Sequence, residues 1–512
     1  MTDGGSPAGQ RRLAVIDLGS NSFRLVVFTS VPGSWWRRTD EIYESVRIGA
    51  GEDASGELQP KPMERALHTL DAYGHFCRAS GLGPEDVQAV ATSAIRDAAN
   101  RDEFLTRART VSGLEVRVLS HEDEARFGYL AAVNSTTLSD GAVLDLGGGS
   151  LQLVSVHDRR AGALGSWPLG AVRMTERFLP DEEASKKQLK ALRTHVGEEL
   201  GSAPWLASSG DRLVGIGGTV RNLASAAQRA AGLPSFDVQG YVVTRDALAD
   251  LVAELAARPA RKRGDVPGIK PERADLILAG AAVIEAVLEA GEFDALEATE
   301  AGLREGIFLA SHLAPAEPPL LPSVRESSVR NLAAQYPVDP QHVEHVAALA
   351  LQMFDALAGA GVNGGDPAER ELLWASAMLH DIGMAVDYDD HHKHSRYLIL
   401  NAGLPGFSPR EVALIAQIAR YHRKGSPGFG ELAPLMRDGD EELLTRAAAL
   451  LRLAEQLERS RDQMVREARI ATDNGKVRLE LVTDGDASVA RWAAERQVDL
   501  FERAFGRPLE ID

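Results

Sequence analysis

The chain has 512 residues, 44% apolar and 25% charged, an ordinary globular composition that excludes wholesale disorder and fits three or four domains at roughly 150 residues each. Lys and Arg number 56 against 74 Asp and Glu, a net charge of −18, so the surface is expected to repel nucleic acid and anionic membranes unless basic residues are locally concentrated. No run reaches the ~18 apolar residues of a membrane helix, the opening MTDGGSPAGQRR does not read as a secretory signal, and Cys77 is the single cysteine, so a reducing, cytoplasmic setting is expected.

After a tail that reads as disordered, residues 13–18 (LAVIDL) and 25–29 (LVVFT) read as apolar strands joined by Gly19 to Arg24. A helix over 62–79 follows, carrying Cys77 as an inert thiol. Next come a strand at 87–91, a helix near 101–110, a strand at 115–119 and a helix over 121–133. Strands at 142–146 and 151–156 form a second pair, and a strand at 212–216 runs into a helix from Thr219. This alternation predicts layered α/β domains. Residues 311–323 carry Pro315, Pro318, Pro319 and Pro322, and read as a linker because proline lacks a backbone donor and disfavours helix before it. Beyond it the pattern is helical to about residue 468, with a capping box from Ser408 to Glu411 and Pro409 at the first helical position. A strand at 476–482 and a helix over 487–505 close the chain.

One segment occurs twice. Asp17-Leu-Gly-Ser-Asn-Ser-Phe-Arg-Leu-Val26 aligns with Asp145-Leu-Gly-Gly-Gly-Ser-Leu-Gln-Leu-Val154, identical at six of ten positions and offset by 128 residues. A glycine turn after a strand presents several backbone N–H groups as an anion nest. The first copy offers Gly19, Ser20, Asn21 and Ser22, and the second Gly147, Gly148, Gly149 and Ser150. Singly, each is equally an ordinary hairpin turn; facing each other across a cleft, the two would hold a polyphosphate from both sides. A third turn, Gly215-Ile-Gly-Gly-Thr219, places Gly217, Gly218 and Thr219 at a helix start, where phosphates are also favoured.

The strings IDLGSNSFRLVVF, ATSAIRDAAN, LSHEDEARFGYLAA, LDLGGGSLQLV and GIGGTVRNLA, in this order, resemble the exopolyphosphatase / guanosine pentaphosphate phosphohydrolase (Ppx/GppA) family. The resemblance implies an α/β actin-like (ribonuclease H-like) two-domain core, residues 1–135 and 136–312. An all-α HD-like domain would follow at 313–470, then a small α/β segment at 471–512. It implies Mg²⁺-dependent (or Mn²⁺-dependent) release of terminal phosphate from inorganic polyphosphate by a homodimer. Guanosine pentaphosphate is the nearest alternative substrate; a kinase or ATPase of the same superfold and a non-catalytic polyphosphate or alarmone sensor are further alternatives. By the same resemblance Glu124 is the general base, although an acidic helix start also complements the helix dipole. Arg96 matches a phosphate-clamping arginine, and Asp145, with Asp17 as its counterpart, a Mg²⁺ carboxylate. Where many members carry Thr-Glu after GGGS, this chain has Leu151-Gln152. Gln152 offers a carbonyl oxygen but removes a charge, which is expected to weaken metal binding or alter substrate preference.

The helical part concentrates histidine: His342, His345, His380, His391, His392, His394 and His422 are 7 of the chain's 13. His380-Asp381 at the end of an apolar helix resembles the HD metal-phosphohydrolase pattern. That likeness implies a second divalent metal on His345, His380, Asp381 and Glu455, the last where Asp is usual; the alternative is a satisfied helical core. Basic clusters at Lys393 and Arg396, at Arg420, Arg423 and Lys424, and at Arg459 and Arg461 read as solvated faces or as a channel for a long polyanion.

Overall fold

Strands that alternate with helices bury both faces of their sheet, and the first part of this chain builds such a sheet twice. The computed structural model describes residues 9–234, 236–473 and 475–512; the expected disordered tail lies largely outside the described residues. The chain divides into two units, Met1–Val324 and Arg325–Asp512. The first unit opens with β1 (Arg11–Leu18), β2 (Phe23–Val31), β3 (Trp35–Glu44), β4 (Val87–Ala91) and β5 (Val116–Val118), in the order β3-β2-β1-β4-β5. Its second sheet has β6 (Gly141–Leu146), β7 (Leu151–His157), β8 (Arg160–Trp167), β9 (Leu213–Ile216), β10 (Tyr241–Thr244) and β11 (Ala295–Ala298), in the order β10-β11-β9-β6-β7-β8. Each sheet thus has a three-stranded antiparallel meander continued by two parallel strands, with β10 added antiparallel at the edge of the second, so the ten-residue repeat is the visible trace of a duplicated sheet. Sequence periodicity misses β3 (WWRRTDEIYE) and β8 (RAGALGSW), because these outer strands are mostly exposed and carry no apolar alternation.

Two helices exchange lobes. His121–Val133, which ends the first half of the sequence, packs Ala125, Tyr129 and Val133 against Val143, Val154 and Val214 of the second sheet. Leu303–His312, which ends the second half, returns Ile307 and Phe308 to Val15, Val26 and Phe28 of the first, where the Phe28 and Phe308 rings stack at 4.4 Å. Boundaries at 135 and 312 therefore follow the chain but not the packing. The proline-rich residues 313–324 are also not a free linker. Asn134 donates to Pro319 O at 3.0 Å and accepts from Leu321 N at 2.8 Å, and Arg159 donates to Leu321 O at 2.7 Å.

The second unit is a helical bundle around a single apolar core that includes Pro340–Gly359, Pro367–Leu379, His391–Ala402, Pro409–Arg420 and Asp440–Leu457. Ser408 and Glu411 form the expected capping box. Helicity stops at Leu457, short of residue 468, and β12 (Val465–Asp473) pairs antiparallel with β13 (Lys476–Thr483), which pairs parallel with β14 (Leu509–Ile511). A register shift between Val465 and Glu467 interrupts the two-residue period of β12, which hides the strand in the sequence. The expected helix over 487–505 is two, Ser488–Glu495 and Val498–Phe505. Val465, Val477, Phe501 and Leu509 share the core of the bundle, so residues 471–512 are not a separate segment. No helix among the described residues is long and apolar enough to cross a membrane.

The exchanged helices cross at Gly306, where an added Cβ would come within 1.9 Å of Phe127 O. Gly306→Ala is expected to destabilise the first unit by about 1–3 kcal/mol through overpacking. The control Gly197→Ala, in an exposed helical position with nothing within 4 Å, is expected to gain up to about 1 kcal/mol. Thermal melts of both variants test the pair.

Candidate active site

The two copies of the repeated turn have the same internal hydrogen bond: Gly19 N donates to Ser22 O at 3.2 Å and Gly147 N to Ser150 O at 3.0 Å. They face each other closely. A Cβ on Gly148 would lie 3.1 Å from Ser20 Cβ, and one on Gly149 would lie 2.5 Å from Ser93 Oγ and 2.9 Å from Ser20 Oγ. Glycine is needed there because the opposite lobe occupies the space of a side chain. The cleft is lined by Gly19, Ser20, Asn21, Ser22, Gly147 and Gly148, together with Gly217 and Gly218 at the start of helix Gly218–Ala230. Thr219 is not among its lining residues. It is buried against helix Ile277–Ala290, where a Cβ on Gly280 would sit 2.6 Å from its methyl carbon. Its neighbours' backbone, not its hydroxyl, faces the cleft.

Glu124 sits one turn into a helix capped by Ser120, whose side chain accepts from Asp123 N at 3.0 Å. Helix-dipole compensation accounts for the exposed Glu122, but not for Glu124, which is 5% exposed and faces the cleft. Arg96 Nη1 donates to Glu124 Oε2 at 2.6 Å and to Leu119 O at 3.2 Å, and Ser150 Oγ donates to Glu124 Oε1 at 3.4 Å. Burial pushes the Glu124 carboxyl above the ordinary range, while Arg96 pulls it back down. Arg96 therefore holds the carboxylate and keeps one buried amino group, Nη2, without a protein partner.

The duplication is symmetric in backbone and asymmetric in charge. Asp17 faces Arg24 across the first hairpin and Asp145 faces Gln152 across the second. Asp17 accepts from Arg304 at 3.0 Å; among the described residues no ion pair includes Asp145. Burial, with repulsion from Glu124 and Asp17, pushes the Asp145 carboxyl up to about 7. Gln152 donates to Ser150 Oγ at 2.8 Å and Ser166 Oγ at 3.2 Å, which leaves its buried Oε1 without a partner. Buried Glu124 and the half-buried Asp17 and Asp145 share the site with an unpartnered amide oxygen, groups of the oxygen type that hard divalent cations take.

Four arginines that sequence reading did not assign complete the cleft: Arg24, Arg221, Arg273 and Arg304. Arg24 and Arg221 lay inside the quoted strings, whereas Arg273 and Arg304 have no local signature. A Cβ on Gly218 would fall 2.1 Å from Arg273 Nη2, so this guanidinium lies over a helix N-terminus, two positive features that together favour an anion.

In the second unit, the structure corrects one expected ligand. His345 Nε2 bonds Val465 O at 2.8 Å, whereas His342, one turn earlier, reaches Glu455 Oε2 at 3.1 Å and Asp381 Oδ2 at 3.7 Å. Helical spacing offers both residues, and the docking of β12 claims His345. Four of the seven cations in the basic clusters are paired with carboxylates: Lys393 and Lys424 with Asp390, Arg396 with Glu431, and Arg461 with Asp381.

Two duplicated lobes closing paired glycine turns over a buried glutamate define an actin-like phosphohydrolase. The chain belongs to the Ppx/GppA phosphatase family: the family's model matches residues 26–314 and the model of its domain III residues 324–497. Over 520 aligned residues, 99% of each chain, it is 28% identical to a guanosine-5'-triphosphate,3'-diphosphate pyrophosphatase of Vibrio vulnificus (strain YJ016). The Aquifex aeolicus family member, 29% identical, superposes with a TM-score of 0.50 over 59% of this chain and 97% of that one. An exopolyphosphatase from Cytophaga hutchinsonii shares the fold at a TM-score of 0.55 and 22% identity, over 59% and 98% of the two chains. The protein is a phosphoanhydride hydrolase of a family whose members are generally divalent-metal dependent.

The charge asymmetry predicts opposite effects of one substitution. Asp145→Asn removes a half-buried charge repelled by Glu124 and Asp17, so it is expected to melt higher than wild type in EDTA at pH 8. The same variant is expected to lose the stabilisation that Mg²⁺ confers on wild type; differential scanning fluorimetry in both conditions checks this.

Proposed function

We propose that the chain is an exopolyphosphatase that hydrolyses the terminal phosphoanhydride of inorganic polyphosphate with Mg²⁺ as cofactor. The reading rests on one observation: buried Glu124 and half-buried Asp145 line one cleft together with the two glycine turns. Glu124 orients the attacking water and takes its proton. Arg96 fixes Oε2, and the longer contact from Ser150 leaves Oε1 the freer oxygen. Burial keeps this carboxyl basic enough for the task. Backbone N–H groups of the turns grip the phosphates, and Arg24, Arg221, Arg273 and Arg304 neutralise them, which is most of what phosphoryl transfer requires. Asp145, with Asp17 beside it and Gln152 Oε1, would hold the Mg²⁺. The bound ion would supply charge neutralisation at the phosphate oxygens. Mn²⁺, with the same preference for oxygen ligands, is expected to substitute.

A second substrate, guanosine pentaphosphate, has its own observation. The four arginines also border a chamber beyond the cleft, lined by Tyr43, Phe236, Asn222, Asp237 and Glu300. Aromatic faces suit a base, and the carboxylates disfavour further phosphates. The Vibrio vulnificus relative, named for guanosine-5'-triphosphate,3'-diphosphate, matches this chain along 99% of its length.

Phosphate release from long-chain polyphosphate and from guanosine pentaphosphate, measured side by side, decides between the two. Glu124→Gln is expected to lower kcat by about 10²–10⁴ on the true substrate; an unchanged kcat overturns the assignment. Gln152→Glu adds the missing carboxylate and is expected to lower the Mg²⁺ concentration for half-maximal activity. Binding of either polyanion without release of phosphate in saturating Mg²⁺ would indicate a sensor.

A further inference from the structure

In the second unit, donors from five helical segments converge on one buried carboxylate. Two sets of side chains, His342 with His380 and His391 with His422, each lie within ligand reach of Asp381, and all five residues are buried. Glu455 joins the first set, its Oε2 being 3.1 Å from His342 Nε2 and 3.2 Å from His380 Nε2. The two carboxylate oxygens of Asp381 divide the work. Oδ2 faces His342 at 3.7 Å, and Oδ1 faces His380 at 3.6 Å and His391 at 3.5 Å.

Tautomers sharpen the point. Three rings tie Nδ1 to a backbone carbonyl: His380 to Ala377 O at 2.6 Å, His391 to Tyr388 O at 2.8 Å and His422 to Ala419 O at 2.7 Å. A carbonyl only accepts, so in each ring Nδ1 carries the proton and Nε2 of the neutral ring presents a lone pair. Yet His391 Nε2 and His422 Nε2 stand 2.9 Å apart, and His380 Nε2 faces the Glu455 carboxylate. Facing lone pairs repel unless a proton or a metal cation lies between them. Carbonyl-anchored imidazoles are also the usual outer support of metal-ligating histidines. With metal–ligand bonds of about 2.0–2.2 Å, neighbouring ligands stand about 3–3.5 Å apart, close to the separations found here. An imidazole-rich set selects first-row transition metals over Mg²⁺.

We propose that the helical unit binds two divalent first-row transition-metal ions bridged by Asp381, one on His342, His380 and Glu455 and the other on His391 and His422. The site is chemically distinct from the oxygen-only cleft of the first unit and independent of the polyphosphate reading. It differs from the single ion expected from sequence in its count, in the use of His342 and in the recruitment of His391 and His422. Arg461 donates to Asp381 Oδ2 at 2.7 Å and is the partly exposed group at this cluster.

The test is titration of the full chain, stripped with a chelator, with Co²⁺ in saturating Mg²⁺, which fills the oxygen sites. Two equivalents with visible bands of nitrogen-ligated Co²⁺ are expected in wild type and in the His345→Ala control. The double variant His391→Ala, His422→Ala is expected to bind one equivalent, and Asp381→Asn none tightly. Co²⁺ is also expected to raise the Tm of wild type by about 5 °C or more and to leave that of Asp381→Asn unmoved, a readout that needs no histidine variant to fold. A single equivalent, or stoichiometry unchanged in the double variant, overturns the bridged pair. No Co²⁺ binding by wild type shows that the histidines and carboxylates share protons instead.

Discussion

The approach of two hairpin turns to within van der Waals contact is the constraint on which the first unit depends. Ser20 and Ser93 of one lobe occupy the space that side chains at positions 148 and 149 of the other would need. That contact sets the spacing of the two rows of backbone N–H groups, and with it the size of anion the cleft accepts. It also brings the carboxylates at the ends of β1 and β6 into one space with Glu124, where desolvation raises the proton affinity of all three and the charges of Glu124 and Asp17 raise that of Asp145 further. The lobes are held in this posture from behind by the exchanged helices and their crossing at Gly306.

Duplication supplied the backbone, and divergence of single side chains supplied the chemistry. At the same register position across the hairpin stand Arg24 in one copy and Gln152 in the other. One Asp is thereby committed to arginines and the other is left with an amide oxygen. A net charge of −18 is compatible with an anionic substrate because the four cleft arginines act at close range in a poorly solvated space, where the outer surface charge is screened.

The second unit follows a different rule. Its core is ordinary apolar helix packing, but its centre gathers buried histidines and carboxylates whose lone pairs are aimed at one another. Burial of so many polar groups is costly unless each is satisfied, and five helical segments bring them together.

Local sequence determined the elements that have a local cause: apolar strands, the capping box at Ser408, the glycine turns and the repeat that revealed the duplication. The resemblance carried by five short strings also brought out Glu124, Arg96 and Asp145. Long-range packing decided the rest. Exposed β3 and β8 carry no apolar period, β12 is masked by a register shift, and Thr219 turned into the core because Gly280 left room for its methyl group. Arg273 and Arg304 reach the cleft from segments with no signature, since nothing near them in sequence records which guanidinium the fold will carry to a helix terminus or to Asp17. Whether His342 or His345 faced Asp381 was open on helical spacing alone; it was settled when β12 docked and its carbonyl took His345, a choice made by tertiary contact and not by the residues on either side.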